Sequence, residues 1–384
     1  MDRLFENHFD ESHVEYRHIV RRFATEEIAP HAEKWEEDQL FDVALYRKAA
    51  EAGVLGPSFP EGYGGGGGDI FHGIVAGEEL QRGGCTGAVM GLGSLAISIP
   101  PILLLGTEEQ KQRFIPPVLA GEKIAALAIT EPDAGSDVAG VRTRAVLAGD
   151  HYVMNGAKTF ITSGVRADIV VVLARTGDDP HGGLTFFVVE KGMEGFSVSR
   201  ALKKTGWWAS DTAELAFVDV KVPVANRLGA EGTGFIALMQ NFESERLMLA
   251  VNGYAIAQIA FEEALRYANE RQAFGRSIVK FQVIKHKLAE MATKIVGAKA
   301  LTYQCAARMN EGQKIPAEVA MAKNLCAEVA QSVCWEAVQI HGGMGYMRES
   351  LVERLSRDAR LLPIGGGTHE VMNEIICRMM GFAK

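Results

Sequence analysis

A carboxylate interrupts an apolar helical face in the second half of the chain. The apolar members of this face follow steps of 3, 4 and 7 residues and are Phe235, Leu238, Phe242 and Leu249. Glu245 divides the last step into 3 and 4, which places it on the same side of a helix. Burial among apolar groups raises the pKa of a carboxyl group toward the range of a general base. Glu245 is therefore either a catalytic base or half of a structural ion pair, with Arg246 or a neighbouring helix as its partner.

Other common catalytic patterns are absent from the sequence. It contains no P-loop, no H-E-x-x-H and no G-x-S-x-G. Residues 62–68 contain a formal G-x-G-x-x-G, but prolines and Glu61 precede it where a dinucleotide site needs a hydrophobic strand, so we interpret it as a loop. The five cysteines include no C-x-x-C. This pattern is typical of core thiols in a reducing compartment, and we predict no metal site.

Composition limits the class of protein. The chain has 384 residues, 47% of them hydrophobic, and 40 basic against 48 acidic residues give a net charge of −8. This length favours two or three domains, and the acidic balance argues against nucleic acid as a partner. Residues 83–107 lack charge but contain Pro100 and Pro101, which predicts a buried helix broken at the prolines and no membrane span. The charged start predicts no secretion signal and a bacterial cytoplasmic protein, although a mature mitochondrial chain would read the same way.

The elements that must hold these residues change type twice. Helical periodicity dominates residues 1–122. Short β-branched runs at 124–130, 151–155, 169–174, 184–189 and 215–220 predict a small antiparallel barrel or sandwich within 123–230. Long helical stripes return in 231–384, one of them ending at Gly342 and Gly343. The absence of β-α-β alternation excludes a doubly wound nucleotide-binding fold and predicts an α+β protein of three domains.

Five segments carry a resemblance to a known family. In chain order they read AITEPDAGSDV at 128–138, FITSG at 160–164, RQAFG at 271–275, QIHGGMGY at 339–346 and RDARLLPIGGGT at 357–368. Together they resemble the flavin-dependent acyl-CoA dehydrogenase family over essentially the whole chain. The resemblance implies an N-terminal helical domain, a middle β-barrel domain and a C-terminal four-helix bundle. It also implies FAD held between the last two domains and across a subunit boundary of a homotetramer, a dimer of dimers.

The resemblance assigns flavin contacts in the middle domain. It implies that Leu127, Ile129 and Thr130 line the flavin, that Phe160 packs on it and that Thr162 places its hydroxyl near N5. Ser136 resembles a residue shared by the flavin and coenzyme A. A strand end followed by a glycine-containing turn offers backbone N–H groups and a hydroxyl together, which an isoalloxazine requires.

Further cofactor contacts are implied in the C-terminal domain. The Arg271 guanidinium can grip a pyrophosphate through paired hydrogen bonds, or it can be a solvated charge at a helix end. By resemblance it reaches the flavin of a neighbouring subunit. The remaining residues implied at this cofactor are Phe274, Gln282, Gln339, Gly342, Gly343, Thr368 and Glu370. The two glycines would permit a close backbone approach.

The sequence departs from the common family pattern at the base. Many members carry a glutamate in an I-Y-E-G-T loop, where this chain has Gly366 between Gly365 and Gly367. The segment around Glu245 is similar to the isovaleryl-CoA and long-chain acyl-CoA dehydrogenases, whose base lies at that helical position. The resemblance thus implies Glu245 as base, with Glu243 and Arg246 near the substrate or its coenzyme A arm.

The loop glycines also contact the substrate in this interpretation. The Gly366 N–H, together with a flavin ribityl hydroxyl, would bind the thioester oxygen as charge develops on it. Three glycines ending at Gly367 are expected to open space for a branched or wide acyl group. The sequence does not choose among isovaleryl-like, terpenoid branched and straight long-chain acyl groups, and Met90, Ser94 and Ile97 could face either the acyl chain or the core.

The leading hypothesis is an FAD-dependent dehydrogenase that converts acyl-CoA to the trans-2-enoyl-CoA and passes electrons to electron-transfer flavoprotein, in fatty-acid, branched-chain or terpenoid catabolism. One alternative is a flavin oxidase or monooxygenase on the same fold. Another is a scaffold without catalytic activity.

Overall fold

The computed structural model describes residues 4–382. Their first part is helical, and its α-helices are α1 (Glu11–Phe23), α2 (Ala32–Asp38), α3 (Ala44–Glu51), α4 (Ile70–Gln81), α5 (Thr86–Leu92), α6 (Leu95–Leu105) and α7 (Glu108–Leu119). Capping boxes begin α1, α4 and α7, where Asp10, Asp69 and Thr107 accept backbone N–H groups of the first turn.

The prediction that the uncharged helix breaks at the prolines is wrong. Pro100 and Pro101 lie inside α6, and the break lies before Leu95, between α5 and α6. Proline at 101 leaves the Ile97 carbonyl without its helical donor, and the side-chain amide of Asn241 donates to that oxygen at 3.0 Å instead. By length and composition Thr86–Leu105 would suffice to cross a membrane, but 56% of it is buried within the protein, and we assign it to the core.

The middle part is a sheet of β1 (Ala125–Ala128), β2 (Arg144–Ala148), β3 (His151–Thr162), β4 (Ile169–Arg175), β5 (Leu184–Glu190), β6 (Phe196–Ala201), β7 (Thr212–Pro223) and β8 (Arg227–Leu228). Its strand order is β6-β7-β3-β2-β4-β5-β8, with β1 beside β4. The expectation of antiparallel strands fails for β1, which runs parallel to β4. Val170 and Val172 pack among sheet residues, while Val171 and Leu173 pack against the N-terminal helices, so both faces of β4 are covered.

Strand β3 runs much further than its predicted end at residue 155. Asn155 and Gly156 resemble a turn, but the chain continues through irregular pairing with β7 at Gly156 and again between Lys158 and Ile161. Gly156 has φ +151°, and a Cβ there would lie 2.4 Å from Thr143 Oγ1. β-Bulges re-aim side chains, and the second irregularity turns Phe160 to the surface with φ +60° and 68% exposure.

The C-terminal part is a helical bundle that includes a short hairpin. Its elements are α8 (Gly234–Glu270), β9 (Gln272–Ala273), β10 (Arg276–Ser277), α9 (Gln282–Asn310), α10 (Pro316–His341), α11 (Leu351–Ala359) and α12 (His369–Met380). Helix α10 contacts α8, α9, α11 and α12. It ends where predicted, because Gly342 takes φ +60°. The predicted domain boundaries at 122 and 230 lie in the connections after α7 and before α8.

A buried polar cluster joins the three parts of the chain. Asp358 of α11 accepts the Trp207 N–H at 2.6 Å, and Glu36 of α2 accepts the Ala209 N–H at 3.2 Å and a bond from Arg357 at 3.4 Å. Burial, with the nearby Glu36 charge, raises the pKa of Asp358 to about 7.

Candidate active site

Glu245 lies half-buried on α8, with no hydrogen bond or ion pair to any other side chain of residues 4–382. Burial raises the pKa of its carboxyl to about 7, although the nearby positive charges of Arg246 and Lys323 pull it down. A carboxyl group in this range can be ionised near neutral pH and still take a proton. The ion-pair interpretation of Glu245 is therefore wrong, because its neighbour Arg246 bonds elsewhere.

The carboxylate faces the loop between α11 and α12. Its Oε1 lies 3.5 Å from the position that a Cβ on Gly366 would occupy. Gly366 has φ +65° and Gly367 has φ +100°, a left-handed backbone that side chains rarely adopt. The glutamate on the helix and the glycine in the loop thus meet in space, as the two sequence departures require.

Basic side chains from two helices hold this loop by its carbonyl groups. Arg246 Nε donates to the Gly366 oxygen at 3.2 Å, and Lys323 Nζ of α10 donates to the Gly367 oxygen at 2.6 Å. The Asn324 amide donates to the His369 oxygen at 3.1 Å. Hydrogen bonds to charged donors are stronger than neutral ones, so the loop has a defined conformation before any substrate arrives.

The expectation that the loop glycines open space is wrong at Gly366. A Cβ there would lie 2.2 Å from Leu249 Cδ1, so Leu249, one turn after Glu245 on α8, already fills the region that a loop glutamate would need. A Cβ on Gly367 would meet Met372 Cε at 2.6 Å.

Glu243 has a partner within the protein. Its Oε1 accepts the backbone N–H of Ile315 at 2.9 Å, just before α10. The bond ties α8 to the start of α10. The predicted role of Glu243 near the substrate stays a prediction, whereas Arg246, buried and bound to Gly366, lies beside the base.

The first group of predicted flavin residues lies at the end of β1. Leu127 and Ile129 point their side chains into the core beneath the N-terminal helices, so any contact they make with a cofactor is through the backbone. The Ile129 oxygen accepts a bond from the buried Lys158 ammonium at 2.7 Å, and the Thr130 oxygen accepts the Thr159 N–H at 2.9 Å. These bonds join the ends of β1 and β3.

The second group is exposed. Phe160 presents its ring outward from the bulge, Thr162 ends β3 half-buried, and Ser136 is exposed in the turn after Thr130. An aromatic ring that is 68% exposed, next to a strand end that carries threonines, offers a surface on which a planar ring system can pack. Residues 127–162 therefore fit the isoalloxazine that the sequence predicts.

Arg271 lies exposed after α8, and its guanidinium makes no ion pair with any residue in the described range 4–382. Phe274 follows in the hairpin with 94% exposure, and Gln282 is the exposed first residue of α9. An unpaired guanidinium beside exposed apolar and amide groups fits an anionic ligand such as a pyrophosphate.

The end of α10 lies near this hairpin. His341 stacks on Tyr267 at 4.2 Å between ring centroids, and the Tyr267 oxygen accepts the Arg271 N–H at 2.8 Å. Gln339 is exposed, and a Cβ on Gly342 or Gly343 would meet open space. The two glycines leave room for the close approach that the sequence predicts.

The last predicted residues begin α12. Thr368 caps this helix by accepting the Val371 N–H at 3.2 Å, and Glu370 is exposed in its first turn. Glu245, Arg246, Gly366 and Gly367 thus form one contacting group, and the other predicted residues form patches at the β1–β3 ends, the α8–α9 hairpin and the end of α10.

Sequence reasoning missed two features of the site. It did not identify Lys323, and it did not predict that Leu249 packs beside Gly366. Lys323 is 1% exposed. The sequence signal for Lys323 is that it lies among the small and apolar residues of α10, where burial of a charge is costly unless a hydrogen-bond acceptor or a counter-charge is close. The role of Leu249 follows only from the path of the loop.

A second polar cluster lies on the N-terminal helices. Ligand atoms of His13, Asp69 and His72 lie within 4.8 Å of one another. Both histidines complete capping boxes by accepting the N–H groups of Asp10 and Asp69 through Nδ1. We therefore assign the cluster to helix capping.

Comparison with known proteins is consistent with this geometry. Family models for the acyl-CoA dehydrogenase N-terminal, middle and C-terminal domains match residues 10–122, 126–220 and 232–381. The chain is 41% identical over 374 residues to the mitochondrial long-chain specific acyl-CoA dehydrogenase of Sus scrofa, covering 96% of this chain and 86% of the relative. It is 42% identical over 364 residues to the short-chain specific acyl-CoA dehydrogenase of Clostridium acetobutylicum, covering 94% and 95%.

A solved structure has the same fold. A chain from the structure of the electron transferring flavoprotein of Acidaminococcus fermentans superposes with a TM-score of 0.94 at 40% identity, covering 97% of this chain and 98% of that one. The matches extend through all three parts of the sequence, as the resemblance predicts. The chain belongs to the acyl-CoA dehydrogenase family, whose members are flavoprotein oxidoreductases.

Proposed function

We propose that this protein is an FAD-dependent acyl-CoA dehydrogenase that uses Glu245 to remove the α-proton of a branched, medium-chain or long-chain acyl-CoA. The observation that carries the proposal is the half-buried Glu245 carboxylate, which has no hydrogen-bond or ion-pair partner among residues 4–382 and lies 3.5 Å from the Cβ position of the loop glycine. When bound, FAD accepts the hydride that leaves the β-carbon, and the product is the trans-2-enoyl-CoA.

The residues of the chain divide the remaining work. Glu245 Oε1 takes the proton from Cα, and its pKa near 7 suits a base that is ionised at neutral pH. The Gly366 N–H donates to the thioester oxygen as negative charge develops there. Arg246 and Lys323 hold the two carbonyls that follow this N–H in the chain, so the loop that carries the donor does not need to reorganise during the reaction.

Retention of FAD depends on residues at three places, which are the β1–β3 ends, the α8–α9 hairpin with Arg271, and the end of α10 with Gln339, Gly342 and Gly343. We propose that the β1–β3 ends hold the isoalloxazine and that Arg271 binds the pyrophosphate of a flavin in a neighbouring subunit. The exposure of Phe274 at 94%, Trp335 at 69% and Tyr346 at 80% supports an assembly that covers this end of the bundle. We propose a homotetramer built as a dimer of dimers.

The relatives support a proposal for the electron acceptor and for the compartment. The match to a chain from an electron transferring flavoprotein structure supports electron-transfer flavoprotein as the acceptor. Bacterial and mitochondrial relatives are similarly close, and we propose that this protein acts in the bacterial cytoplasm.

The acyl group remains to be ranked by experiment, because long-chain and short-chain relatives match equally well. Met90, Ile97 and Phe242 are half-buried and pack against the same apolar core, whereas Ser94 is buried. We propose that the side chains of Met90, Ile97 and Phe242 border the acyl chain and that Leu249 closes the pocket beside Gly366. Isovaleryl-CoA, butyryl-CoA, octanoyl-CoA and palmitoyl-CoA form the test panel.

The test of function is flavin reduction in Glu245→Gln. The purified variant and wild type are mixed with each acyl-CoA without oxygen, and the flavin absorbance is followed by stopped flow. Loss of a general base typically costs about 100- to 10,000-fold in rate. The control Glu290→Gln removes an exposed carboxylate on α9 and should reduce at the wild-type rate.

Unchanged reduction in Glu245→Gln would refute the base assignment. The same preparations are then exposed to air with acyl-CoA. Rapid peroxide formation would favour the oxidase alternative, whereas slow formation together with reduction of electron-transfer flavoprotein supports the dehydrogenase.

A further inference from the structure

Lys323 is a buried ammonium group with a single bonded acceptor in the described part of the chain. It lies on α10 with 1% exposure, and its Nζ donates to the Gly367 oxygen at 2.6 Å. It forms no ion pair with any of residues 4–382. Burial of a lysine without a close counter-charge is costly, so its presence calls for a reason beyond packing.

The charged groups around Lys323 belong to two neighbouring helices, α8 and α12. Arg246 and Glu245 face it from α8, and Glu370 from α12, while Glu243 acts on Arg246. Burial and Arg246 lower the pKa of Lys323 to about 8, and the two carboxylates oppose this effect. In return, the Lys323 charge lowers the pKa of Glu245.

The geometry of the loop requires such an anchor. Gly366 and Gly367 both have positive φ, and glycine pairs have many accessible conformations. Arg246 fixes the Gly366 carbonyl and Lys323 fixes the next one, so that bonds from two different helices hold the two consecutive peptide groups that follow the Gly366 N–H. Neighbouring Asn324 extends the same attachment to His369.

We propose that Lys323 is a positioning residue of the active site, which holds the Gly366–Gly367 backbone in the conformation that presents the Gly366 N–H and keeps the Glu245 carboxylate ionised. The inference rests on the proposed function of Glu245. The Lys323 ammonium group then has two separable roles. Its hydrogen bond positions the loop, and its charge acts on Glu245.

Three substitutions separate the two roles. Lys323→Met removes charge and donor, Lys323→Gln removes the charge but keeps a shorter donor, and Lys323→Arg keeps the charge. Lys294→Met, at an exposed lysine of α9, is the control. Flavin content and the thermal unfolding midpoint of each holoenzyme show whether it is folded. Flavin reduction by octanoyl-CoA is then measured from pH 5.5 to 9.

The two roles predict different changes. In Lys323→Met the acid limb of the pH profile should move up by about one unit, because an opposite charge near a carboxylate is lost. Its plateau rate should fall roughly 10-fold or more, less than the 100- to 1000-fold that removal of an oxyanion donor costs. Lys323→Gln should show the same shift of the acid limb with a smaller loss of rate, and Lys323→Arg should restore the acid limb.

The outcomes distinguish this inference from the function on which it rests. A wild-type rate and acid limb in Lys323→Met, beside an inactive Glu245→Gln, would overturn the role of Lys323 alone. Retained reduction in Glu245→Gln would overturn the proposed base. If Lys323→Met loses flavin, an unshifted acid limb in a folded Lys323→Gln overturns the charge role.

Discussion

Substitution of Gly366 by alanine tests the packing between the loop and α8. The added Cβ would lie 2.2 Å from Leu249 Cδ1, well inside the roughly 3.5 to 4.0 Å of a normal carbon contact. Displacing a packed side chain costs about 1–3 kcal/mol. A left-handed backbone costs a residue with a Cβ about another 1–2 kcal/mol. We expect Gly366→Ala to lower the free energy of unfolding by about 2–5 kcal/mol, the sum of these two costs.

Gly365→Ala is the matched control, because its Cβ would meet nothing closer than 3.8 Å and its φ is not left-handed. Thermal and urea unfolding of the holoenzymes measure the difference, and stopped-flow reduction shows whether the loop donor has moved. Leu249→Ala added to Gly366→Ala should relieve the steric part of the loss. Equal stability of Gly366→Ala and Gly365→Ala, or no relief from Leu249→Ala, would refute this account of the loop.

Three further predictions follow from the charges and packing. Because Glu245 must be ionised to take a proton and its pKa is about 7, kcat/KM should level off between about pH 7 and 8, where Lys323 is still charged, and fall about tenfold per unit below pH 7; a flat profile to pH 5 would contradict this. Moving the acid by Glu245→Gln with Gly366→Glu should restore flavin reduction only when Leu249→Ala makes room, and equal activity without that third change would contradict the packing. Burial raises the pKa of Asp358 to about 7, so the folded protein loses stability as pH rises from about 4 to above 7. The thermal unfolding midpoint of Asp358→Asn should therefore fall less over that pH interval than the midpoint of the wild type.

Much of the fold could be predicted from the pattern of the sequence. The long helices α8 and α10 follow from apolar periodicity, and Gly342 ends α10 as expected. The failures have local physical causes. The strand predicted to end at residue 155 continues to Thr162 through irregular pairing at Gly156, because tertiary pairing with β7 overrides local propensity. The prolines of α6 stay inside the helix, because Asn241 satisfies the Ile97 carbonyl from another helix.

The site was predicted in part. The step pattern around Glu245 and the missing loop glutamate indicate that base and loop must meet, and the two do lie together. Neither pattern indicates that Leu249 occupies the space beside Gly366 or that Lys323 binds the next carbonyl. Such contacts depend on which rotamers and loop paths fit between helices that are distant in sequence, so they emerge only from the folded chain.

The central claim is that Glu245 removes the α-proton, and exchange of that proton with solvent tests it most directly. An acyl-CoA whose β-carbon is replaced by sulfur has no β-hydrogen to lose, so only the base reaction can proceed. Incubated in deuterium oxide with wild-type holoenzyme, it should gain deuterium at Cα, as followed by NMR. In Glu245→Gln that exchange should slow by about 100-fold or more, whereas Glu290→Gln should match wild type. Wild-type exchange in a folded, flavin-containing Glu245→Gln would contradict the account.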